Sequence, residues 1–301
     1  MTEVSAPSAA ATGRRTQVAS WVVVLLGSAA PRVVLDVVGA PVPTWLAWAQ
    51  IGLLGATLVA STASATLRPV RHLAVALASI AALLELRPRL DLTWAPAQQL
   101  LGGTAFDARM QSEQTGKLLV AAALVGVLLA MGYRRRSMFL RLGDLRTPLR
   151  PVRWLGFPRP VPWSRFALQW GAYIAVAVAV AQYLSLRPTT AELEGVVPML
   201  PGILVYAAFN AITEEVTYRV PLLATGEPTL GGRTALWQAA GYFGIAHFYG
   251  TPGGPAGVVL SIFMGWILAK GILETRGLFW SWWIHWLSDV AIFVLLATTL
   301  V

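Results

Sequence analysis

The sequence predicts an all-α protein, a polytopic membrane bundle of about eight or nine transmembrane helices. Composition, recurrent long apolar runs and the placement of arginine lead to that reading. Of 301 residues, 56% are hydrophobic and 12% charged, and the mean hydropathy is +0.63. A soluble domain carries roughly 25% charged residues, so this chain has about half the polar surface such a fold needs.

Apolar runs close to the ~20 residues that cross ~30 Å of hydrocarbon fall near 18–38, 44–64, 70–86, 117–133, 166–186, 198–224, 234–250, 255–273 and 279–300. Ahead of the first run stand Arg14 and Arg15, and Ser28-Ala29-Ala30 within it resembles a leader cleavage site. Pro31 follows directly and more spans come after, so the segment reads as a retained helix. Arg32 and Asp36 are four apart and predict a structural ion pair on one helical face. In the eighth run Gly257, Ser261, Gly265 and Ala269 recur every four residues. Small residues at that spacing leave a groove for a close neighbour, which predicts tight bundle packing there, with homodimerisation as the alternative.

The net charge of +9 sits between apolar runs, as expected of loops facing anionic lipid rather than of a nucleic-acid surface. From Arg134 to Arg165 there are nine arginines against Asp144, with five prolines. This predicts an irregular cytoplasmic loop. Counting outward places Arg14/Arg15, Arg68/Arg71, Arg233 and Lys270/Arg276 inside, and Leu90 to Gly116, with Asp91, Asp107 and Glu113, outside. The resulting topology has the N-terminus in, nine spans and the C-terminus out. The expected organisation is a cytoplasmic tail over 1–16, N-terminal transmembrane helices and the basic loop over 17–165, and a catalytic transmembrane domain over 166–301. The absence of cysteine excludes disulfides, thiolate metal sites and a cysteine nucleophile.

The sixth run holds Asn210-Ala-Ile-Thr-Glu214-Glu215-Val-Thr-Tyr-Arg219. Ionisable groups within an apolar span mark a functional site by default. Glu215 and Arg219 have ion-pair spacing, while Glu214 projects about 100° away on the same helix. The spacing therefore assigns Glu215 a structural role and leaves Glu214 free to act. The seventh run supplies Phe243-Gly-Ile-Ala-His247 and the ninth His285-Trp-Leu-Ser-Asp289, whose two polar groups share a face. At ~1.5 Å rise per residue, Glu214, His247 and Asp289 lie roughly 15–20 Å deep and His285 roughly 9 Å. His72, beside Arg71 at a helix start, carries no assigned role.

Glu-Glu-x-x-x-Arg, Phe-x-x-x-His and His-x-x-x-Asp, in this order on hydrophobic segments, resemble the CPBP family. That family comprises the type II CAAX prenyl endopeptidases and the bacterial bacteriocin-processing and immunity homologues, also called Abi proteins. The likeness covers about residues 200–295. It implies that Glu214 and His247 activate a water, that His285 and Asp289 stabilise the oxyanion, and that Glu215, Arg219 and Phe243 support them. An ionised Asp289, where eukaryotic members resemble His-x-x-x-Asn, cannot donate and would instead orient His285 or be protonated. A metal-free site is favoured, since no His-Glu-x-x-His helix is present. Zinc on Glu214, His247 and His285 is the alternative. The resemblance thus implies an intramembrane endopeptidase acting on a peptide or membrane-protein substrate; the excess of arginine over lysine points to a bacterial plasma membrane, and the depths to a site open to the cytoplasm. A non-proteolytic scaffold or immunity protein of the same fold is the alternative. A proton-coupled transporter would need polar residues along a path through the bundle, and here they cluster.

Overall fold

The computed structural model describes residues 13–89 and 93–301. Most of the expected N-terminal tail, and Asp91, lie outside the described residues. The helices are α1 (Arg14–Gly27), α2 (Ala30–Val37), α3 (Leu46–Ala63), α4 (Arg71–Leu86), α5 (Ala95–Leu100), α6 (Ala105–Ala130), α7 (Trp163–Leu186), α8 (Thr190–Gly195), α9 (Leu200–Glu214), α10 (Val220–Leu230), α11 (Gly232–Ala246), α12 (Gly254–Thr275) and α13 (Phe279–Ala297). A two-residue hairpin, β1 (Pro148–Leu149) with β2 (Val161–Pro162), is the one sheet among the described residues. The chain is an all-α integral membrane bundle.

Among the described residues, seven helical stretches are long and apolar enough to cross a membrane, and α1 with α2 adds an eighth if that pair, bent by 63°, is one span. The ninth expected span is the difference. It corresponds to α11, whose 15 residues reach only ~22 Å at ~1.5 Å each. Its apolar pattern continues into the short 3₁₀ turn His247–Tyr249, which lengthens the run in sequence but not the α-helix. Because α11 packs on both α10 and α12, it still returns the chain across the bundle.

The sixth run also departs from a plain helix. Between α9 and α10 the residues Glu215–Arg219 form a π turn, closed by the Val220 N–H on the Glu215 carbonyl. Pro221 explains the break: it has no N–H to donate back and its ring crowds the preceding turn. An inserted π turn absorbs that conflict without ending the helix, and such turns are frequent at functional sites.

Three packing devices hold the helices around this turn. Trp282 and Trp286, one turn apart on α13, donate their indole N–H groups to the Ala208 and Leu204 carbonyls of α9, each at 3.1 Å. The register between α9 and α13 is thereby pinned. Gly257, Ser261, Gly265 and Ala269 are all buried, and a Cβ on Gly265 would meet Ala240 of α11 at 3.2 Å. The small-residue groove is therefore filled by α11, as the close-packing expectation required. Gly202 lets α9 approach α6, since a Cβ there would strike the Asp107 carboxylate.

The first helix and the basic segment both differ from expectation. Arg32 and Asp36 do not pair with each other; both meet Tyr249, through a cation–π contact at 4.8 Å and a hydrogen bond from the Tyr249 hydroxyl. Both lie within α2, and each side chain is taken by Tyr249 instead of by the other. Residues 134–165, expected as irregular, fold onto the bundle. Met138, Phe139, Leu149, Val152, Phe157 and Trp163 are buried, enough apolar anchors to order a short hairpin. The Asp144 N–H reaches the Thr275 carbonyl and the Leu278 N–H reaches the Arg141 carbonyl, both at 2.8 Å. Arg276 also pairs with Glu227 at 2.6 Å. One end of the bundle is thus closed by this segment, the α12–α13 turn and the end of α10.

Candidate active site

Glu214 is the last residue of α9 and Glu215 the first of the π turn. Glu215 and Arg219 form the expected pair at 2.6 Å, both side chains with 0% exposure. Burying both charges is tolerable only because each is matched closely. The Arg219 Nε and Nη2 have no hydrogen-bond partner, but the guanidinium lies over the Phe243 ring, 3.9 Å from its centroid. That π face takes the place of further acceptors. Phe243 in turn sits 4.1 Å, centroid to centroid, from His247, so it spaces the buried cation from the imidazole.

Glu215 has partners beyond Arg219. Glu215 Oε1 lies 2.8 Å from His285 Nδ1, and Ser281 donates to Oε2 of the same carboxylate. Glu214 Oε2 lies 3.5 Å from His285 Nε2. The nitrogens of an imidazole face different edges of the ring, so side chains diverging from one helix can flank it. An ionised carboxylate only accepts, so Glu215 selects the tautomer carrying hydrogen on Nδ1. Glu215 is both the partner of Arg219 and the group that orients His285.

His247 opens the 3₁₀ turn after α11, half-buried, with Nδ1 2.9 Å from the Phe243 carbonyl. A carbonyl accepts, so this nitrogen carries the hydrogen and the Nε2 lone pair remains available as a base. Asp289 Oδ2 stands 3.7 Å from His285 Nε2. The carboxylate accepts from Asn210 Nδ2 at 3.0 Å. It accepts beside the site, and Glu215 is a second carboxylate in contact with the His285 ring.

Two participants were not recognised in the sequence. Lys117 on α6 places its Nζ 3.2 Å from Glu214 Oε1 and 2.5 Å from Asn210 Oδ1, and it also pairs with Glu113 at 3.2 Å. Asn210 bridges Lys117 to Asp289. Signals for both existed: Asn210 is four residues before Glu214 on one helix face, and a lysine in an apolar run demands a partner. Glu214, His247, His285, Asp289, Asn210 and Lys117 all line one cavity of about 1310 Å³. Among the described residues no three His, Asp or Glu side chains gather as a metal shell. Of the zinc set read from sequence, Glu214 is held by Lys117 and His285 by Glu215.

Chemically, the cavity offers an imidazole nitrogen on His247, the Glu214 carboxylate, a second, oriented histidine and a cation on Lys117. Residues 196–291 match the family model described as type II CAAX prenyl endopeptidase Rce1-like. The match covers about a third of the chain and contains every site residue except Lys117. It supports a hydrolase of the protease class. No curated protein and no solved structure matches the chain.

Proposed function

We propose that the protein is an intramembrane endopeptidase that hydrolyses a peptide bond of a membrane-associated polypeptide with a water activated by Glu214 and His247. The observation that carries this reading is the presence of Glu214, His247 and His285 on one cavity, inside the region that resembles a protease family. His247 presents Nε2 as a base and Glu214 supplies the adjacent carboxylate. Attack of the water on the scissile carbonyl forms a tetrahedral oxyanion, and the proton taken by the Glu214/His247 pair passes to the leaving amine. His285, held by Glu215, donates from Nε2 to the oxyanion when its ring is doubly protonated. Lys117 balances the Glu214 charge. No step needs a metal in this scheme. The scarcity of lysine, with Lys117 and Lys270 alone against many arginines, supports a bacterial plasma membrane as the setting.

The test compares membrane peptides from cells carrying the wild-type protein and Glu214→Gln, followed by cleavage of the identified substrate by purified protein in nanodiscs. Products that vanish with Glu214→Gln and with His247→Ala, while chelators leave wild-type cleavage intact, support the scheme. Activity abolished by chelator and restored by stoichiometric zinc overturns its metal-free form. Biological activity unchanged in both variants overturns the protease reading in favour of a non-proteolytic scaffold or immunity protein.

A further inference from the structure

We infer that the cavity opens on the non-cytoplasmic side of the membrane, so the substrate is a polypeptide segment presented from that side. The substrate clause rests on the protease reading; the direction of opening does not. Its exposed lining residues include Arg32 on α2, Arg109 near the start of α6, Ser185 near the end of α7 and Gly250 after α11. These four lie at the end of the bundle away from segment 134–165, and the exposed lining residues Tyr173, Ala177 and Ala181 of α7 and Leu260 of α12 extend the opening sideways along the bundle. No residue of that segment or of the α12–α13 turn lines the cavity, and on α7 the lining begins only at Trp170. The docked basic segment closes its own end.

Charge identifies which end faces the cytoplasm. The closed end carries nine arginines against Asp144 within residues 134–165, and the positive-inside bias places such an end in the cytoplasm. At the open end, Arg32, Arg87, Arg89, Arg109 and Arg187 stand against Asp36, Glu85, Asp107, Glu113, Glu192 and Glu194, so basic excess is missing there. A cytoplasmic basic loop and a cytoplasm-facing site are therefore incompatible in this fold. The charge bias retains the loop and turns the site outward. A cytosolic protein bearing a C-terminal prenyl group could not reach Glu214 from its own side. The substrate class that fits is a membrane-anchored or secreted polypeptide whose scissile bond enters from the outer half of the bilayer.

The natural chain has no cysteine, so single replacements report without background. Ser185→Cys marks the rim and Arg159→Cys the exposed tip of the basic segment, and neither belongs to the catalytic machinery. With the full chain in intact cells, a membrane-impermeant maleimide should label Ser185→Cys, and should label Arg159→Cys only after permeabilisation. The inverse pattern overturns the proposal, as does a Ser185→Cys protein that stays unlabelled after permeabilisation. Labelling needs no activity, so an inverted pattern with Glu214-dependent cleavage would spare the protease reading. For the substrate clause, new peptide termini lost in Glu214→Gln cells should map to outward-facing segments. Termini confined to cytoplasmic segments overturn it.

Discussion

The region spanning α9 to α13 and the helices that precede it use polar residues in opposite ways. In the former, Glu215, Arg219, Ser281, His285 and Asp289 are buried and engage one another, so each fixes the next. In the preceding helices, polar groups mostly end or cap elements, as Thr104 and Asp107 do at the start of α6. Two residues of α6 reach the site instead: Lys117 pairs with Glu214 and Gln114 donates to Asn210. The difference teaches that the chemistry is assembled within one third of the chain, while the counter-charge on its carboxylate is delivered from outside it. Four sets of substitutions test that partition.

The largest effect is expected at the pair proposed to handle the water. Glu214→Gln and His247→Ala should each lower turnover by about 10²–10⁴. The double variant should lose far less than the product of the two, because groups acting as a unit are not additive. Turnover of the identified substrate in nanodiscs reads this directly. Full additivity would mean that the two side chains do not share a water.

Next is Arg219→Ala. Removing one partner of a buried ion pair costs roughly 3–5 kcal/mol, since the remaining charge is stranded. The change also takes away the cation over Phe243. Folded protein recovered from membranes should fall sharply, and thermal unfolding should shift down. A variant with normal yield and full activity would show that Glu215 is sufficiently held by Ser281 and His285.

The preceding helices enter with Lys117→Met. The Lys117 side chain is 20% exposed and faces the cavity, so its loss strands less buried charge than the loss of Arg219. A charge-assisted hydrogen bond is worth about 1.5–3 kcal/mol, which corresponds to about tenfold or more in turnover. Yield should stay near wild type while turnover drops, and Lys117→Arg should recover part of it. Unchanged turnover in Lys117→Met would confine the functional site to the matched region.

Much of this partition was legible in the sequence because it rests on spacing. Glu215 and Arg219, His285 and Asp289, and the small residues of α12 sit four apart, and a helix converts that interval into a shared face. What escaped depends on where a helix deviates or on which helix lies opposite. The π turn at Glu215–Arg219 follows from Pro221, but a proline alone does not specify whether a helix ends, kinks or widens. Glu214 and Glu215 flanking one imidazole required the position of α13. Lys117 meeting Glu214 is a contact across 97 positions, invisible to local periodicity. The direction in which the cavity opens needed both the charge pattern and the fold. The depths read from sequence placed the polar groups near one layer, yet carried no information on which end was closed.

The smallest effect tests the preceding helices as scaffold. Thr104 begins α6 with a capping box: its hydroxyl accepts from the Asp107 N–H at 3.3 Å, and the Asp107 carboxylate accepts from the Thr104 N–H at 2.9 Å. Loss of such a cap costs about 0.5–2 kcal/mol. Asp107 also lies against Gly202 of α9, so fraying here would loosen the helix that carries Lys117 toward Glu214. Thr104→Ala should therefore lower the unfolding temperature slightly and leave turnover nearly unchanged, because Lys117 lies more than three turns further along α6 and is anchored by Asn210 and Glu214. A turnover loss as large as that of Lys117→Met, without a matching loss of stability, would mean that the start of α6 positions the counter-charge directly. The preceding helices would then belong to the active site to a greater depth than one lysine.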